Sequence, residues 1–488
     1  MYLGIDLGTS GIKAILLNEQ GEIIASEVAS LTVSRPHELW SEQNPEDWWQ
    51  TTNAAIKQLG DVIQLNQVKA IGLSGQMHGA VTLDKQGSVI RPAILWNDGR
   101  SAAECIELEQ LVPNSRHIAG NIMMPGFTAP KLKWLQKNEP YNFALIDKVL
   151  LPKDYLRYRM SGIFASDLSD SAGTLWLDVA KRDWSDELLA ACSLTREHMP
   201  QLFEGNEITG LLSETVASSW GMDCVPIVAG AGDNAAGAIG MGITEPEQAM
   251  LSLGTSGVYF AVGASYTSNP ESAVHSFCHA LPNTWHLMSV ILSAAACLDW
   301  VAKLTHYQSV PEMLEDVEQS AIYNRNLVFL PYLSGERTPH NDPNAKGVFF
   351  GMTHETNRAD LALAVLEGVG FAFADGLEAM NACELKSSDV TLIGGGARSE
   401  FWRQMLADIT GQTLSYREGG DVGPALGAAR LAQLGVNPQI NISDICLKPA
   451  LIQTHQPCLT HQAKYREKHQ LYKQLYSCLK PVFNSSLI

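Results

Sequence analysis

The pentapeptide Leu7-Gly8-Thr9-Ser10-Gly11 occurs a second time in this chain of 488 residues, at positions 253–257. A short apolar run precedes and follows each copy, so each copy is predicted to be the turn of a β-hairpin. A tight, glycine-rich turn with Thr and Ser hydroxyls exposes backbone N–H groups in a concave array that suits phosphate oxygens. Because the copies start 246 residues apart, about half of the chain, we expect a duplicated architecture whose halves face each other across a phosphate-sized cleft.

The two copies differ at the residue before the pentapeptide, which is Asp6 in the first copy and Ser252 in the second. A carboxylate at the end of a buried strand costs several kcal/mol to desolvate unless a cation compensates for it. A Mg²⁺ ion that travels with a nucleotide would do so, whereas the alternative is an aspartate that stabilises its own turn. A duplicated fold with divergent site chemistry favours an asymmetric ligand such as a nucleotide.

The composition restricts the class of protein. A chain of 488 residues is too long for one core, so two domains are expected. The net charge of −18 argues against a nucleic-acid or anionic-membrane partner, because both need a basic face. Nine singly placed cysteines predict reduced thiols, and the sequence has neither a signal-peptide pattern nor an apolar run of ~20 residues. We therefore expect a cytoplasmic protein.

The order of predicted elements indicates an α/β organisation. After the first hairpin and a third strand over 22–28, a helix is predicted to open at Asn44-Pro45. Residues 226–230 are predicted to form a strand that ends in Gly232-Asp233-Asn234 and leads into a helix over 235–242. We place the domain boundary near residue 244, which gives an N-terminal domain over 1–244 and a C-terminal domain over 245–488.

The C-terminal half repeats the pattern of strand, glycine-rich turn and helix. A strand over 390–393 enters Gly394-Gly395-Gly396 and a helix over 400–410, and another glycine-rich turn at 419–423 precedes a helix over 425–434. The three-glycine turn could bind a phosphate or a nucleobase face, or it could let a helix pack closely. A surface helix is predicted over 465–479.

Two further sites are ambiguous from the residues alone. Asp233 lies at a strand-to-helix junction, where it could cap the helix or act as the general base of a phosphoryl transfer, and the pattern favours neither. Met77 and His78 follow the predicted strand over 68–73, and a single histidine in a loop is more often structural than a ligand.

Longer motifs connect these features to a known family. The run GFTAPKLKWL at 126–135 and the run GVFFGM at 347–352, continued by 360–361 and 364–367, match the two signatures of the FGGY carbohydrate kinases. The chain resembles that family over essentially its whole length. The resemblance implies the fold of the actin, hexokinase and Hsp70 superfamily, with two duplicated actin-like (ribonuclease-H-like) α/β domains flanking a nucleotide cleft.

Four other runs resemble the branch of the family that phosphorylates D-xylulose at its 5-hydroxyl with ATP. They are GQMHG at 75–79, ILWNDGR at 94–100, WSEQNP at 40–45 and LSGERTP at 333–339. Glycerol kinases carry an Arg-Glu pair where this chain has Met77-His78. The alternatives are a kinase for L-ribulose, D-gluconate or glycerol, or an actin-like ATPase.

The resemblance also implies a role for each candidate residue. Asp233 would be the general base, and Asp6 would hold Mg²⁺, through water. The sugar would be contacted by Met77, His78, Trp96, Asn97, Asp98 and Asn234. Phosphate oxygens would be bound by Thr9, Ser10 and Lys13, and the rest of the nucleotide by Gly254, Thr255, Gly395 and Gly396. The expected ligands are the sugar and MgATP, and relatives of this kind are commonly homodimers.

Overall fold

The computed structural model describes residues 1–320, 323–418 and 423–485. The glycine-rich turn predicted over 419–423 therefore lies outside the described residues, apart from Gly423. The described chain contains two seven-stranded mixed sheets, one built from the first half of the sequence and one from the second. Smaller two-stranded sheets surround them.

The strands of the first half are β1 Tyr2–Leu7, β2 Gly11–Leu17, β3 Ile23–Ser30, β4 Glu42–Gln43, β5 Ala70–Gly75, β6 Val81–Leu83, β7 Ala93–Ile94, β8 Lys148–Leu150, β9 Ala165–Asp167, β10 Leu177–Asp178, β11 Asp183–Trp184, β12 Gln201–Phe203, β13 Ile208–Leu211, β14 Pro226–Val228 and β15 Ala231–Gly232. Those of the second half are β16 Gln248–Leu253, β17 Gly257–Gly263, β18 His275–Cys278, β19 Trp285–Ile291, β20 Val328–Leu330, β21 Val348–Phe350, β22 Asp389–Ile393, β23 Leu414–Arg417 and β24 Leu451–His455.

The helices of the first half are α1 Pro45–Val62, α2 Ala102–Leu111, α3 Ser115–Ala119, α4 Thr128–Asn138, α5 Pro140–Ala144, α6 Pro152–Ser161, α7 Leu168–Ala172, α8 Asp186–Ala191, α9 Glu214–Trp220 and α10 Asp233–Gly240. Those of the second half are α11 Ala296–Leu304, α12 Val310–Ser320, α13 Arg358–Asn381, α14 Glu400–Thr410, α15 Gly423–Val436, α16 Ile442–Ile445 and α17 Leu459–Phe483. Within the described ranges, none of the helices combines the length and the apolar character that a membrane span requires.

Both pentapeptides are hairpin turns, as predicted. Strands β1 and β2 pair antiparallel around the first copy, and β16 and β17 around the second. Each first strand also has a parallel partner, which is β5 for β1 and β22 for β16. The two sheets are therefore equivalent over five strands, from the outer antiparallel strand to the hairpin. The strand orders are β13-β14-β5-β1-β2-β3 and β24-β23-β22-β16-β17-β19-β18.

The strand that pairs with the second hairpin strand is reached differently in the two halves. In the first half β3 follows β2 in the chain and pairs with it. In the second half the chain first forms β18 and then β19, and β19 is the strand that pairs with β17. The third position of the sheet is therefore filled by the second strand of an additional hairpin.

The helix predicted at Asn44-Pro45 forms with the expected N-terminal chemistry. The Asn44 side chain caps α1 by accepting from the Glu46 N–H, and Pro45 occupies the first turn. Trp48 is fully buried and donates from Nε1 to the Gln43 side-chain oxygen at 3.0 Å. Burial of this face fixes α1 against the first sheet.

Helix α15, from the second half of the chain, lies directly on the first sheet. A Cβ atom at Gly72 would come within 1.8 Å of the Ala428 carbonyl oxygen, and one at Gly4 within 2.1 Å of the Ala425 carbonyl oxygen. Helix α15 crosses α10 at similarly short range, since a Cβ atom at Gly427 would lie 1.8 Å from the Ala236 carbonyl oxygen. The two halves therefore meet along α10 and α15. The predicted boundary at residue 244, between α10 and β16, stays a prediction.

We expect the substitution Gly72→Ala to destabilise the protein, because backbone of α15 occupies the space that the added methyl group needs. Overpacking of this kind typically costs about 1–3 kcal/mol. Gly60→Ala on α1 is the matched control: its Cβ would make an ordinary contact with Leu65 at 3.5 Å, and replacing a helical Gly typically stabilises by about 0.5–1 kcal/mol. Denaturant unfolding of the two variants checks this, and a Gly72→Ala protein as stable as the parent would contradict the close contact.

Candidate active site

Three adjacent parallel strands bring the two acidic candidates to one edge of the first sheet. In the strand register Asp6 of β1 lies opposite Ser74 of β5, and Gly75 of β5 lies opposite Gly232 of β15. Helix α10 begins at the next residue, Asp233. Asp6 and Asp233 thus lie close together at the carboxyl ends of parallel strands, where ligands of open α/β sheets bind.

Asp233 is the first residue of α10 rather than its N-cap, and its role as base or structural residue stays a prediction. Gly232 occupies the N-cap position and Asp233 is the first helical residue. Its Oδ1 accepts from the backbone N–H of Asn234 at 2.7 Å and from the Asn234 side-chain amide at 2.9 Å. Burial, and next the negative charge of Asp6, raise the pKa of Asp233 to about 7. A carboxyl group poised near neutral pH suits a general base.

Asp6 has an oxygen that fits a cation. Its Oδ1 is buried and makes no hydrogen bond within the described chain. Burial raises the pKa of Asp6 to about 6, and Lys13, opposite in the hairpin, opposes this shift. No group of three or more His, Cys, Asp or Glu residues in the described ranges could hold a metal. A Mg²⁺ ion bound by a nucleotide needs only one or two carboxylates, and Asp6 meets that requirement.

A cavity of ≈ 260 Å³ opens beside Asp233, between the two halves of the chain. Five of the predicted residues line it, namely Met77, His78, Trp96, Asp233 and Asn234. The other lining residues are Met124, Gly126, Phe127, Ser256, Val258, His275, Phe277, Met288, Val290 and Arg337. Both halves of the chain therefore form the walls of this cavity.

Two predicted sugar ligands are not among the lining residues. Asn97 is exposed. The buried carboxylate of Asp98 accepts from the backbone N–H of Ser41 at 2.6 Å and from the guanidinium of Arg100 at 2.7 and 2.9 Å. These contacts turn Asp98 towards the interior of the first half, so the sugar-binding role of both residues stays a prediction.

His78 is held as a neutral ring with a defined tautomer. Its Nδ1 lies 2.7 Å from the carbonyl oxygen of Gly173. A carbonyl only accepts, so Nδ1 carries the hydrogen and Nε2 is left as an acceptor. Burial lowers the pKa of His78 to about 3. Phe127 packs edge-on against the ring with 4.4 Å between centroids.

The first pentapeptide turn is fixed by a polar network that reaches the cavity wall. The Thr9 hydroxyl donates to the Gln76 side-chain oxygen at 2.9 Å and accepts from Trp96 Nε1 at 2.9 Å. The Gln43 amide donates to the Thr9 carbonyl at 2.8 Å. Ser10, at the tip of the turn, is exposed. This turn is therefore rigid on its inner side and open on its outer side.

The second turn lies beside the three-glycine turn. The carbonyl of Gly254 accepts from the Ala295 N–H at 2.9 Å, and that of Thr255 from the Ala294 N–H at 2.9 Å. A Cβ atom at Gly396 would lie 3.0 Å from that of Leu253, at the end of β16, whereas one at Gly395 would meet nothing within 4 Å. The predicted nucleotide residues Gly254, Thr255, Gly395 and Gly396 thus share one edge of the second sheet.

The sequence predicted no role for the other ten lining residues, which include Phe127, His275, Phe277 and Arg337. Phe127 and Arg337 lie within runs that carried the family resemblance, at 126–135 and 333–339, and these runs were the available signal. His275 and Phe277 belong to the additional strand β18.

Family models match most of the described chain. The N-terminal domain model of the FGGY family of carbohydrate kinases matches residues 1–240, and the C-terminal domain model matches residues 249–435. The chain belongs to the FGGY family of carbohydrate kinases. It is therefore a carbohydrate kinase that uses ATP, and the predicted α/β fold of two related actin-like domains is confirmed.

The following proteins are similar to this chain over nearly its whole length. The xylulose kinase of Escherichia coli (strain K12) is 63% identical over 99% of this chain and 100% of its own length. That of Klebsiella pneumoniae is 59% identical over 99% of this chain and 100% of its own length. Among solved structures, a xyloylose kinase from Brucella ovis is 46% identical with a TM-score of 0.95, covering 99% of each chain.

We predict that Asp233→Asn stabilises the ligand-free FGGY kinase at neutral pH and above. Below about pH 4 Asp233 is protonated in both the folded and the unfolded protein. In the folded protein the pKa of Asp233 is raised to about 7. The parent therefore loses stability as the pH rises towards 7, and its stability changes no further above that pH. The difference in unfolding free energy between variant and parent should therefore grow from acid to neutral pH and level off above it.

The size of this difference should be on the order of 1 kcal/mol, because the carboxylate is partly open to the cavity. Asp61→Asn, at an exposed position near the end of α1, controls for the loss of one carboxylate. A difference for Asp233→Asn that does not change with pH would contradict the raised pKa.

Proposed function

We propose that this FGGY kinase phosphorylates D-xylulose at its 5-hydroxyl, with ATP as donor and Asp233 as general base. The observation that carries the proposal is a small cavity lined by Asp233 in a chain that is 63% identical to a xylulose kinase over 99% of its length. A volume of ≈ 260 Å³ lies just below the usual range for small-molecule pockets. It suits a five-carbon sugar better than a nucleotide.

The site would work by orientation and by one proton transfer. Asn234 fixes Oδ1 of Asp233 with two hydrogen bonds, so the rest of the carboxylate faces the cavity. From there it would accept the proton of the attacking hydroxyl as that oxygen approaches the γ-phosphorus in line. Met77, His78, Trp96 and Asn234 would hold the sugar in this pose.

The phosphate groups would be bound by the two turns. We propose that Thr9, Ser10 and Lys13 contact phosphate oxygens from the first half, and Gly254, Thr255, Gly395 and Gly396 from the second. Backbone N–H groups are suited to this task in a protein with a net charge of −18. A Mg²⁺ ion near Asp6 would neutralise charge on the transferring phosphoryl group.

Closure of the cavity around the sugar would exclude water. Without sugar, a water molecule can occupy the acceptor position, so we expect slow ATP hydrolysis that does not depend on sugar. The two halves meet at the cavity, and binding of a sugar between them would favour closure.

A substrate panel tests the proposed function. ADP formation is measured with D-xylulose, L-ribulose, D-gluconate and glycerol. We expect the highest kcat/KM with D-xylulose. A higher value with any of the others would contradict the proposed substrate, and ATP turnover that no sugar changes would contradict sugar phosphorylation altogether.

The role of Asp233 has its own test. We expect Asp233→Asn to lower kcat for D-xylulose by at least ~10²-fold, because the variant lacks a base at neutral pH. The dissociation constant of the nucleotide should change little, since Asp233 faces the sugar. Asp61→Asn serves again as the control and should retain the parent kcat. Near-normal turnover of Asp233→Asn would remove this residue from the mechanism.

A further inference from the structure

We propose that Arg337 and His78 together recognise the α-hydroxyketone end of an open-chain ketose, Arg337 by donating to the carbonyl oxygen and His78 Nε2 by accepting from the neighbouring hydroxyl. This inference rests on the proposed function and extends it to the origin of the preference for a ketose. It assigns one recognition group to each half of the chain, so both groups can bind the sugar only when the cavity is assembled.

Arg337 is a cation in the cavity wall, and most of its N–H donors have no hydrogen-bond partner among the described residues. Within the described residues, the hydrogen bond of its guanidinium is a long one, from Nη1 to His275 Nε2 at 3.5 Å. No carboxylate of the described chain forms an ion pair with it. Burial lowers the pKa of Arg337, yet an arginine remains charged. A guanidinium has five N–H donors, so most of them are left for a ligand in the cavity.

His275 fixes the direction of this guanidinium. The Asn121 amide donates to the carbonyls of Ala119 and Ser276 at 2.9 and 2.8 Å, which leaves its Oδ1 as the acceptor 2.9 Å from His275 Nδ1. Nδ1 of His275 therefore carries the hydrogen, and Nε2 accepts from Arg337. Burial keeps this ring neutral by lowering its pKa well below the usual value.

The loop that presents Arg337 is held on both sides. Glu336 accepts from the backbone N–H of Leu292 at 3.0 Å and from that of Arg337 at 2.7 Å. Burial raises the pKa of Glu336 to about 8, and its Oε1 is used by these two backbone N–H groups rather than by the Arg337 guanidinium. On the other side, Tyr476 of α17 donates to Asp342 at 3.0 Å, and the Asp342 N–H donates to the Glu336 carbonyl at 2.8 Å. The C-terminal helix thus supports the loop.

His78 supplies the complementary acceptor from the first half. Its ring and that of His275 both pack against Phe127, with centroid distances of 4.4 and 5.6 Å. An acceptor and a cluster of donors therefore lie at the same end of the cavity. An α-hydroxyketone carries an acceptor-only carbonyl next to a hydroxyl that can donate, which matches this pair. With the ketone held by Arg337, the 5-hydroxyl at the other end of the sugar would be the group placed at Asp233.

The test compares D-xylulose with D-arabinitol, a pentitol that has a C2 hydroxyl in place of the carbonyl. Dissociation constants for both are measured by calorimetry, and kcat/KM wherever turnover is detectable. We expect Arg337→Gln to weaken D-xylulose binding at least ~10-fold, the usual effect of losing a hydrogen bond from a charged donor. Binding of D-arabinitol should weaken less than about threefold. Arg337→Lys, which keeps the charge without the planar fork, should fall between parent and Arg337→Gln.

Lys346→Gln removes one positive charge from an exposed position just beyond the same loop and should match the parent with both sugars. Thermal unfolding and sugar-independent ATP hydrolysis verify that each variant is folded, and Arg337→Lys serves if Arg337→Gln is not. Equal losses with both sugars, no loss with either, or a loss confined to the KM for ATP would each overturn the proposal. A parent enzyme that does not phosphorylate D-xylulose would instead refute the proposed function.

Discussion

The backbone of α15 lies directly on strands β1 and β5, and the position of the active site depends on this contact. Only glycine at positions 4 and 72 leaves room for it, because any Cβ atom there would collide with carbonyl oxygens of the helix. The strands that carry Asp6 and Ser74 are therefore held by a helix from the other half of the chain. The same helix crosses α10, whose first residue is Asp233. The proposed base and the candidate metal-binding residue therefore both lie on elements that contact α15.

This arrangement brings two carboxylates close together at a place where their charge does not stabilise the folded protein. Asp6 and Asp233 are both partly withdrawn from water, and each has a raised pKa. Carboxylates with raised pKa values cost the ligand-free protein stability, which is typical of sites selected for chemistry rather than stability. The lining of the cavity also includes Arg337, a cation without a carboxylate partner in the described chain. A polar ligand of defined orientation would contact both Asp233 and Arg337.

The sequence predicted those elements that are determined by neighbouring residues in the chain, such as turns and helix ends. Both hairpin turns and the bounds of α14, Glu400–Thr410, agree with the prediction. Helix α17 was expected over 465–479 but spans Leu459–Phe483. Ion pairs from Lys468, His469 and Lys473 to α13 hold its middle part. The cavity wall was harder to predict. Asn97 is next to Trp96 in the chain, but it does not line the cavity. Arg337 lines the cavity because of how its loop packs near β19 and α17, and no local sequence pattern predicts that packing.

The most direct test of the account is a crystal structure of the protein with D-xylulose and a non-hydrolysable ATP analogue. The account predicts the 5-hydroxyl of the sugar within about 2.6–3.2 Å of the Asp233 carboxylate, on the line to the γ-phosphorus, with the ketone end of the sugar towards Arg337. A sugar bound with its 5-hydroxyl away from Asp233, or a γ-phosphate held outside the two pentapeptide turns, would contradict it.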